Sequence, residues 1–148
     1  MSSRVASSAR VPRVRAPKRL LSAEIEESLT PRQLEILDLL EESVLEMSLA
    51  DFSMSQTAKH ANCSLRTLYE IAPSKDELTQ IVVDRRLHRI GREAIRALER
   101  EGTPLERLRA YLEATNHAVQ PTTAAFSREF ARKPAARRLV EIHATYIV

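Results

Sequence analysis

The chain has 148 residues, 43% of them apolar, with no Trp, two Gly and one Cys. That supports one domain, or one small domain with part of a second, and a composition led by Leu, Ala, Glu and Arg favours helix over a strand-rich sandwich or barrel. Gly91 and Gly102 alone cannot build a Gly-rich phosphate loop. Cys63 has no partner for a disulfide or a cysteine zinc site.

The formal net charge of +3 hides an asymmetry. Residues 1–23 carry Arg4, Arg10, Arg13, Arg15, Lys18 and Arg19 and no acid. Without them 17 basic residues face 20 acidic ones. Residues 1–22 read as a flexible basic arm, either a solvated tail or a segment for a polyanionic partner. No apolar run approaches the ~20 residues that span a bilayer, and the arm lacks an apolar signal core. The expected compartment is cytoplasmic, with no membrane partner.

After a short helical lead-in at 23–29, Thr30-Pro31-Arg32-Gln33 forms a capping box with Pro at the first helical position. Leu34, Leu37, Leu40, Val44 and Met47 then mark one face of a helix over 31–47. Ser53-Met54-Ser55-Gln56 is a second capping box and opens a helix over 54–61, with Met54, Ala58 and Ala61 on one side. Asn62 tolerates the left-handed backbone that ends a helix, Cys63 seals the turn against the core, and Ser64 caps the next helix. That helix covers about 65–71, with Leu65, Leu68 and Ile71/Ala72 available to the core, until Pro73 stops it.

Ser74-Lys75-Asp76-Glu77 is a third capping box and opens a long helix over 75–101, which Gly102 ends. Thr103-Pro104-Leu105-Glu106 caps a helix over 104–119 with Leu105, Leu108, Leu112 and Val119 as its apolar residues, and Pro121 breaks it. A helix over 122–132 carries Phe126 and Phe130, and another begins at Pro134. It is still running at Val148, which suggests a truncated chain.

Two short helices joined by a tight turn are the pattern of a helix-turn-helix, whose second helix lies in the major groove. Small residues belong where the helices meet, as at Ala58 and Ala61, and polar ones at the start of the second helix, as at Ser64, Arg66 and Thr67. The stretch Met54–Leu78, MSQTAKHANCSLRTLYEIAPSKDEL, resembles the DNA-binding domain of the TetR (tetracycline-repressor-like) family. The likeness covers roughly residues 34–100 and rests on Ser53, Ala58, Ala61, Ser64, Thr67-Leu68-Tyr69, Ser74-Lys75 and Leu78. Departures are Ser48 for the Gly after the first helix, Asn62-Cys63 for the Gly-Val of the turn, Arg66 for a Gly in the recognition helix, and Ala72 for a Phe, its volume refilled by Ile71 or Phe52.

The resemblance implies an all-α fold: a basic arm at 1–22, a three-helix DNA-binding domain at 23–74, a connecting helix at 75–101, and at 102–148 the start of a helical domain for dimerisation and a small-molecule effector. It implies double-stranded DNA and a second copy of the chain as partners. Tyr69 and Lys75 are the expected phosphate contacts, with Ser53 at a helix start facing a third phosphate. Arg66 and Thr67 are the expected base readers, Arg66 having the fork that pairs with guanine. Taken singly, Tyr69 also suits core packing and Lys75 a solvated helix start.

No constellation for catalysis, metal or cofactor is visible. His60, His88, His117 and His143 lack metal-ligand spacing and read as surface or helix-face residues. Asp84-Arg85-Arg86 and Glu99-Arg100-Glu101 read as solvated charge, and Glu41 and Glu42 diverge around their helix and form no acid/base pair. LTPRQLEILDLL at 29–40 also resembles the opening of LuxR-type and sigma-region helix-turn-helix domains, but Ala58 follows Leu40 by 18 residues, too far for that arrangement. The competing class is a helical protein-interaction adaptor without DNA affinity, which the acidic body suits.

Overall fold

A computed structural model describes residues 15–44, 46, 52–120 and 124–147, apart from the side chains of Val119, Tyr146 and Ile147. These residues form an all-α protein with eight helices in chain order: α1 (Ala23–Ser28), α2 (Pro31–Ser43), α3 (Met54–His60), α4 (Leu65–Ile71), α5 (Lys75–Leu98), α6 (Pro104–Val119), α7 (Ala124–Ala131) and α8 (Pro134–Ile147). Met47, Ser48, Pro121, Val148 and the arm up to residue 14 lie outside the described residues.

The helix starts follow local chemistry. Thr30, Ser53 and Thr103 each close a full capping box, while the Ser22, Ser64 and Ser74 side chains accept a backbone N–H of the first turn; the box expected at Ser74 is thus reduced to its Ser74–Glu77 N–H half. α2 ends at Ser43, short of the 47 expected from periodicity, with Val44 as its C-cap. α5 ends at Leu98, and the chain then turns through Gly102 at φ 140 before α6 begins.

One continuous core joins α2, α3, α4, α5, α7 and α8. It contains Ile36, Leu37, Leu40 and Val44, then Phe52, Met54, Ala58 and Ala61, then Leu68, Ile71 and Ala72, then Leu78, Val82 and Val83, with Phe126, Phe130, Ala136 and Leu139. Phe52 is 1% exposed and supplies an aromatic ring to a core in which Ala72 is also buried. Leu21, just before α1, joins the same core, so the body of the fold begins inside the segment read as an arm.

Two apolar expectations are corrected. Leu65 is exposed and only Leu68 of that pair faces inward, since Leu65 stands in the first turn of α4, at the edge of the stripe that Leu68 and Ile71 bury. On α6, Leu105, Leu108 and Leu112 face outward, Leu105 being 75% exposed. That helix lies against α5 with half-buried Ala110, Tyr111 and Ala114 and buried Ala118. Small side chains there let the helices approach, and Arg107 Nε donates to the Leu98 carbonyl, fixing the α5–α6 corner.

Leu68 is fully buried and belongs to a helix of only seven residues. Leu68→Ala is expected to cost about 2–5 kcal/mol of unfolding free energy. Urea denaturation followed by circular dichroism measures this; a loss below about 1 kcal/mol would contradict the anchoring role.

Candidate nucleic-acid interface

The turn between α3 and α4 is built from backbone outward. Asn62 has φ 48, among the described residues the one non-glycine in the left-handed region. Its N–H donates to the Lys59 carbonyl at 3.2 Å, and the Cys63 N–H donates to the Ala58 carbonyl at 2.9 Å. These are the paired bonds of a Schellman ending, which satisfy carbonyls the helix leaves free. Cys63 packs half-buried against the core. Burial pushes its thiol above the ordinary 9.0, with Arg32 pulling the other way, so the group stays a protonated packing element. Arg32 of α2 also donates to the Ala61 and Asn62 carbonyls at 3.0 and 3.2 Å. This clamp on the turn has no signature in sequence, because its partners lie 29 and 30 residues away.

The structure places Ser64, Arg66, Thr67 and Tyr69 on α4 and its cap. Leu68 and Ile71 hold one side of α4 in the core, while Arg66 and Tyr69 point outward, Tyr69 being 53% exposed. Ser64 Oγ accepts the Thr67 N–H at 3.1 Å and shares a hydrogen bond with Thr67 Oγ1 at 2.8 Å. Those two hydroxyls therefore serve the helix start first, with one hydroxyl hydrogen between them left to offer outward. The Arg66 side chain is 88% exposed and pairs with Glu70 at 3.0 Å. Glu70 in turn accepts from Gln33 of α2 at 3.5 Å, so the pair is tethered from behind.

Ser53 and Lys75 stand apart, at the starts of α3 and α5. Ser53 Oγ accepts the Gln56 N–H at 3.1 Å and donates to Gln56 Oε1 at 2.9 Å. Lys75 is half-buried as the first residue of α5.

A charged layer along α5 corrects the solvated-charge reading of Asp84-Arg85-Arg86. Asp84 is 1% exposed and Arg85 is largely buried. Arg85 pairs with Glu26 of α1, with Asp38 of α2 at 2.6 Å, and approaches Glu41 of α2 at 3.6 Å. Glu41 also lies 3.1 Å from Arg89, though its Oε1 lacks hydrogen-bond alignment. Burial raises the Glu41 carboxyl above its ordinary 4.5, and Arg89 and Arg85 oppose that rise.

His88 and His143 are buried too, contrary to the surface reading. His143 Nε2 lies 2.9 Å from Asp84 Oδ1 and His88 Nε2 lies 3.6 Å from the same oxygen, with the two rings edge-to-face at 4.7 Å. The other Asp84 oxygen accepts the Leu20 N–H at 3.0 Å, which ties the base of the basic arm to α5. Sequence carried one faint signal, the four-residue spacing of Asp84 and His88 on one helix face; His143 is 55 residues farther on.

A cavity of about 300 Å³ lies between α5, α7 and α8. Val83, Leu87, Ile90, Phe126, Phe130 and Val140 give it apolar walls, and Arg86, Arg137 and Glu141 supply its charges. Arg86 Nη2 donates to the Ala118 carbonyl at 3.0 Å, while its buried Nε has no partner.

No protein-family model, no curated protein and no solved structure matches this chain. Among the described residues, no helix is long and apolar enough to cross a membrane.

Burial lowers the His88 pKa below its ordinary 6.5, with Asp84 opposing the shift and His143 adding to it. Below pH 6.5 the unfolded chain therefore binds more protons at this residue than the folded one. The stability tied to neutral His88 is complete above pH 6.5 and lost as pH falls toward the lower folded value. Urea midpoints in EDTA-containing buffer are expected to fall between pH 7.5 and 5.5, and His88→Gln to fall less steeply. An identical slope in both proteins would contradict this.

Proposed function

We propose that this chain is a TetR-like transcriptional regulator that binds duplex DNA through a helix-turn-helix formed by α3 and α4. The observation that carries the reading is the two-sidedness of α4. Leu68 and Ile71 anchor it, the Schellman turn and Arg32 fix its entry, and Arg66 and Tyr69 stand outward with Thr67 beside them. A recognition helix needs that combination, a rigid back and a polar front.

In this reading Tyr69, Lys75 and Ser53 hold phosphates and set register, while Arg66, Thr67 and Ser64 face base edges. Arg66 reaches guanine only by leaving Glu70, an exposed pair of the kind worth well under ~1 kcal/mol. A bidentate contact with guanine is worth about 1–3 kcal/mol of discrimination, so the exchange favours DNA. The basic arm extends the contact along the phosphates or into the minor groove.

Two further parts of the regulator follow. The exposed leucines of α6 offer an apolar surface for a second copy of the chain. The cavity between α5, α7 and α8 suits a small, largely apolar effector, with Arg86, Arg137 and Glu141 as its charged lining. The α6 stripe also favours a second reading, a protein-interaction adaptor without DNA affinity.

Selection of bound sites from random duplex DNA separates these readings. A palindromic consensus is expected for the homodimeric regulator; absence of any salt-sensitive DNA binding would leave the adaptor. On a selected site, Arg66→Ala is expected to cost about 1–3 kcal/mol and to relax one base position, whereas Lys75→Ala weakens all sequences alike. Deleting residues 1–14 removes Arg4, Arg10 and Arg13 while keeping Leu20 and Leu21. Its log–log salt slope is expected to shrink by roughly 2–3 if the arm contacts phosphates, and an unchanged slope would exclude that contact.

A further inference from the structure

We propose that Asp84, His88 and His143 form a binding site for one divalent first-row transition ion, of the zinc type, at the seam between α5 and α8. The three side chains are buried, and one ligand atom from each lies within 4.8 Å of the other two. Asp84 and His88 stand one turn apart on α5, which aims both at the same point, and His143 arrives from α8. Bonds of about 2.0–2.1 Å in a tetrahedral site place neighbouring ligand atoms about 3.3 Å apart. The observed approaches to Asp84 Oδ1, 2.9 Å from His143 and 3.6 Å from His88, bracket that spacing. The third edge, between the two histidine nitrogens, is at most 4.8 Å, so seating the ion closes the His88 and His143 rings toward each other.

A second observation points to a ligand and not merely to a hydrogen-bonded pair. His88 Nε2 is buried, directed at Asp84, and has no hydrogen-bond partner. Such an atom costs stability when left unpaired, and coordination relieves it. The carboxylate is already oriented from outside the cluster, since Asp84 Oδ2 accepts the Leu20 N–H and leaves Oδ1 toward the histidines. Outer contacts of this kind are what fix ligands in metal sites.

The donor set defines the class of ion. Two imidazoles and one carboxylate suit Zn²⁺, Fe²⁺ or Co²⁺, whereas Mg²⁺ and Ca²⁺ require more oxygen ligands. Three protein ligands leave at least one position for water or an anion. Binding would cross-link α5 to α8 while Leu20 stays bonded to the same carboxylate. The site stands independently of the DNA-binding reading, and its test uses no DNA.

The full chain, stripped with chelator, is titrated with Zn²⁺ against a competing chromophoric chelator. One saturable ion per chain is expected, with Tm raised by about 5–10 °C at free Zn²⁺ a hundred times Kd. The H60N/H117N double variant is expected to retain the affinity, and H88Q and H143Q each to lose more than about 100-fold while keeping helical circular dichroism. Where H88Q or H143Q fails to fold, Cu²⁺ bound to H60N/H117N decides through electron paramagnetic resonance. Nitrogen splitting from two imidazoles supports the site, and splitting from fewer overturns it. Absence of saturable Zn²⁺ binding, its loss in H60N/H117N, or wild-type affinity in folded H88Q and H143Q would each overturn the proposal.

Discussion

Burial of Leu68 and Ile71 is the constraint on which the presentation of α4 depends. A seven-residue helix has too few internal hydrogen bonds to persist alone in water. Its shape is imposed by the core that α2, α3 and α5 provide, and its direction by the turn before it. Once Leu68 is fixed, the period of the helix leaves Leu65, Arg66 and Tyr69 at or beyond the edge of the buried stripe. The polar front of α4 is therefore a consequence of its apolar back.

The second organising feature is charge taken into the interior along α5. Arg85 reaches α1 and α2 through Glu26, Asp38 and Glu41, while Asp84 meets Leu20 and His143 on other sides. Pairs of this kind add little net stability once desolvation is counted, but removing one member strands the others. Their contribution is geometric: Arg85 draws together carboxylates of α1 and α2, and Asp84 joins α5 to Leu20 and to α8. α5 thereby acquires a defined orientation to α1, α2, α8 and the base of the arm at neighbouring positions.

Much of this arrangement is legible locally. Capping boxes at Thr30, Ser53 and Thr103, the left-handed Asn62 and the stop at Pro73 each involve residues within a few positions of one another, so sequence spacing alone places them. The all-α class follows from the same punctuation. What sequence did not reveal depends on distant partners. Arg32 clamps a turn 29 residues away, and His143 joins Asp84 across 59 residues. Leucines mislead for a related reason: on α6 they face outward because α5 is met by alanines and Tyr111, a choice made by the neighbour and not by the helix. Of the six site residues named from sequence, Ser64, Arg66, Thr67 and Tyr69 share α4 and its cap, while Ser53 and Lys75 begin the helices on either side.

These two features meet in one element. α5 begins just after α4, separated from it by Ala72, Pro73 and Ser74, and Asp84 lies nine residues beyond Lys75, about 14 Å along the axis. A helix of this length curves gently, and it contains no proline that would kink it sharply, so a displacement at one end is carried along its axis. Any ligand that alters the seat of α8 on α5, whether an ion at Asp84 or an effector in the adjoining cavity, therefore acts on the helix against which α2 packs, and α2 in turn contacts α4. In the proposed dimeric regulator that coupling needs no movement within α4. A small reorientation of α5 in each copy changes the distance between two recognition helices, and half-sites one DNA turn apart, about 34–36 Å, penalise a change of spacing directly. The coupling reaches only as far as the ligand distinguishes two positions of α8, since equal affinity for both would shift neither.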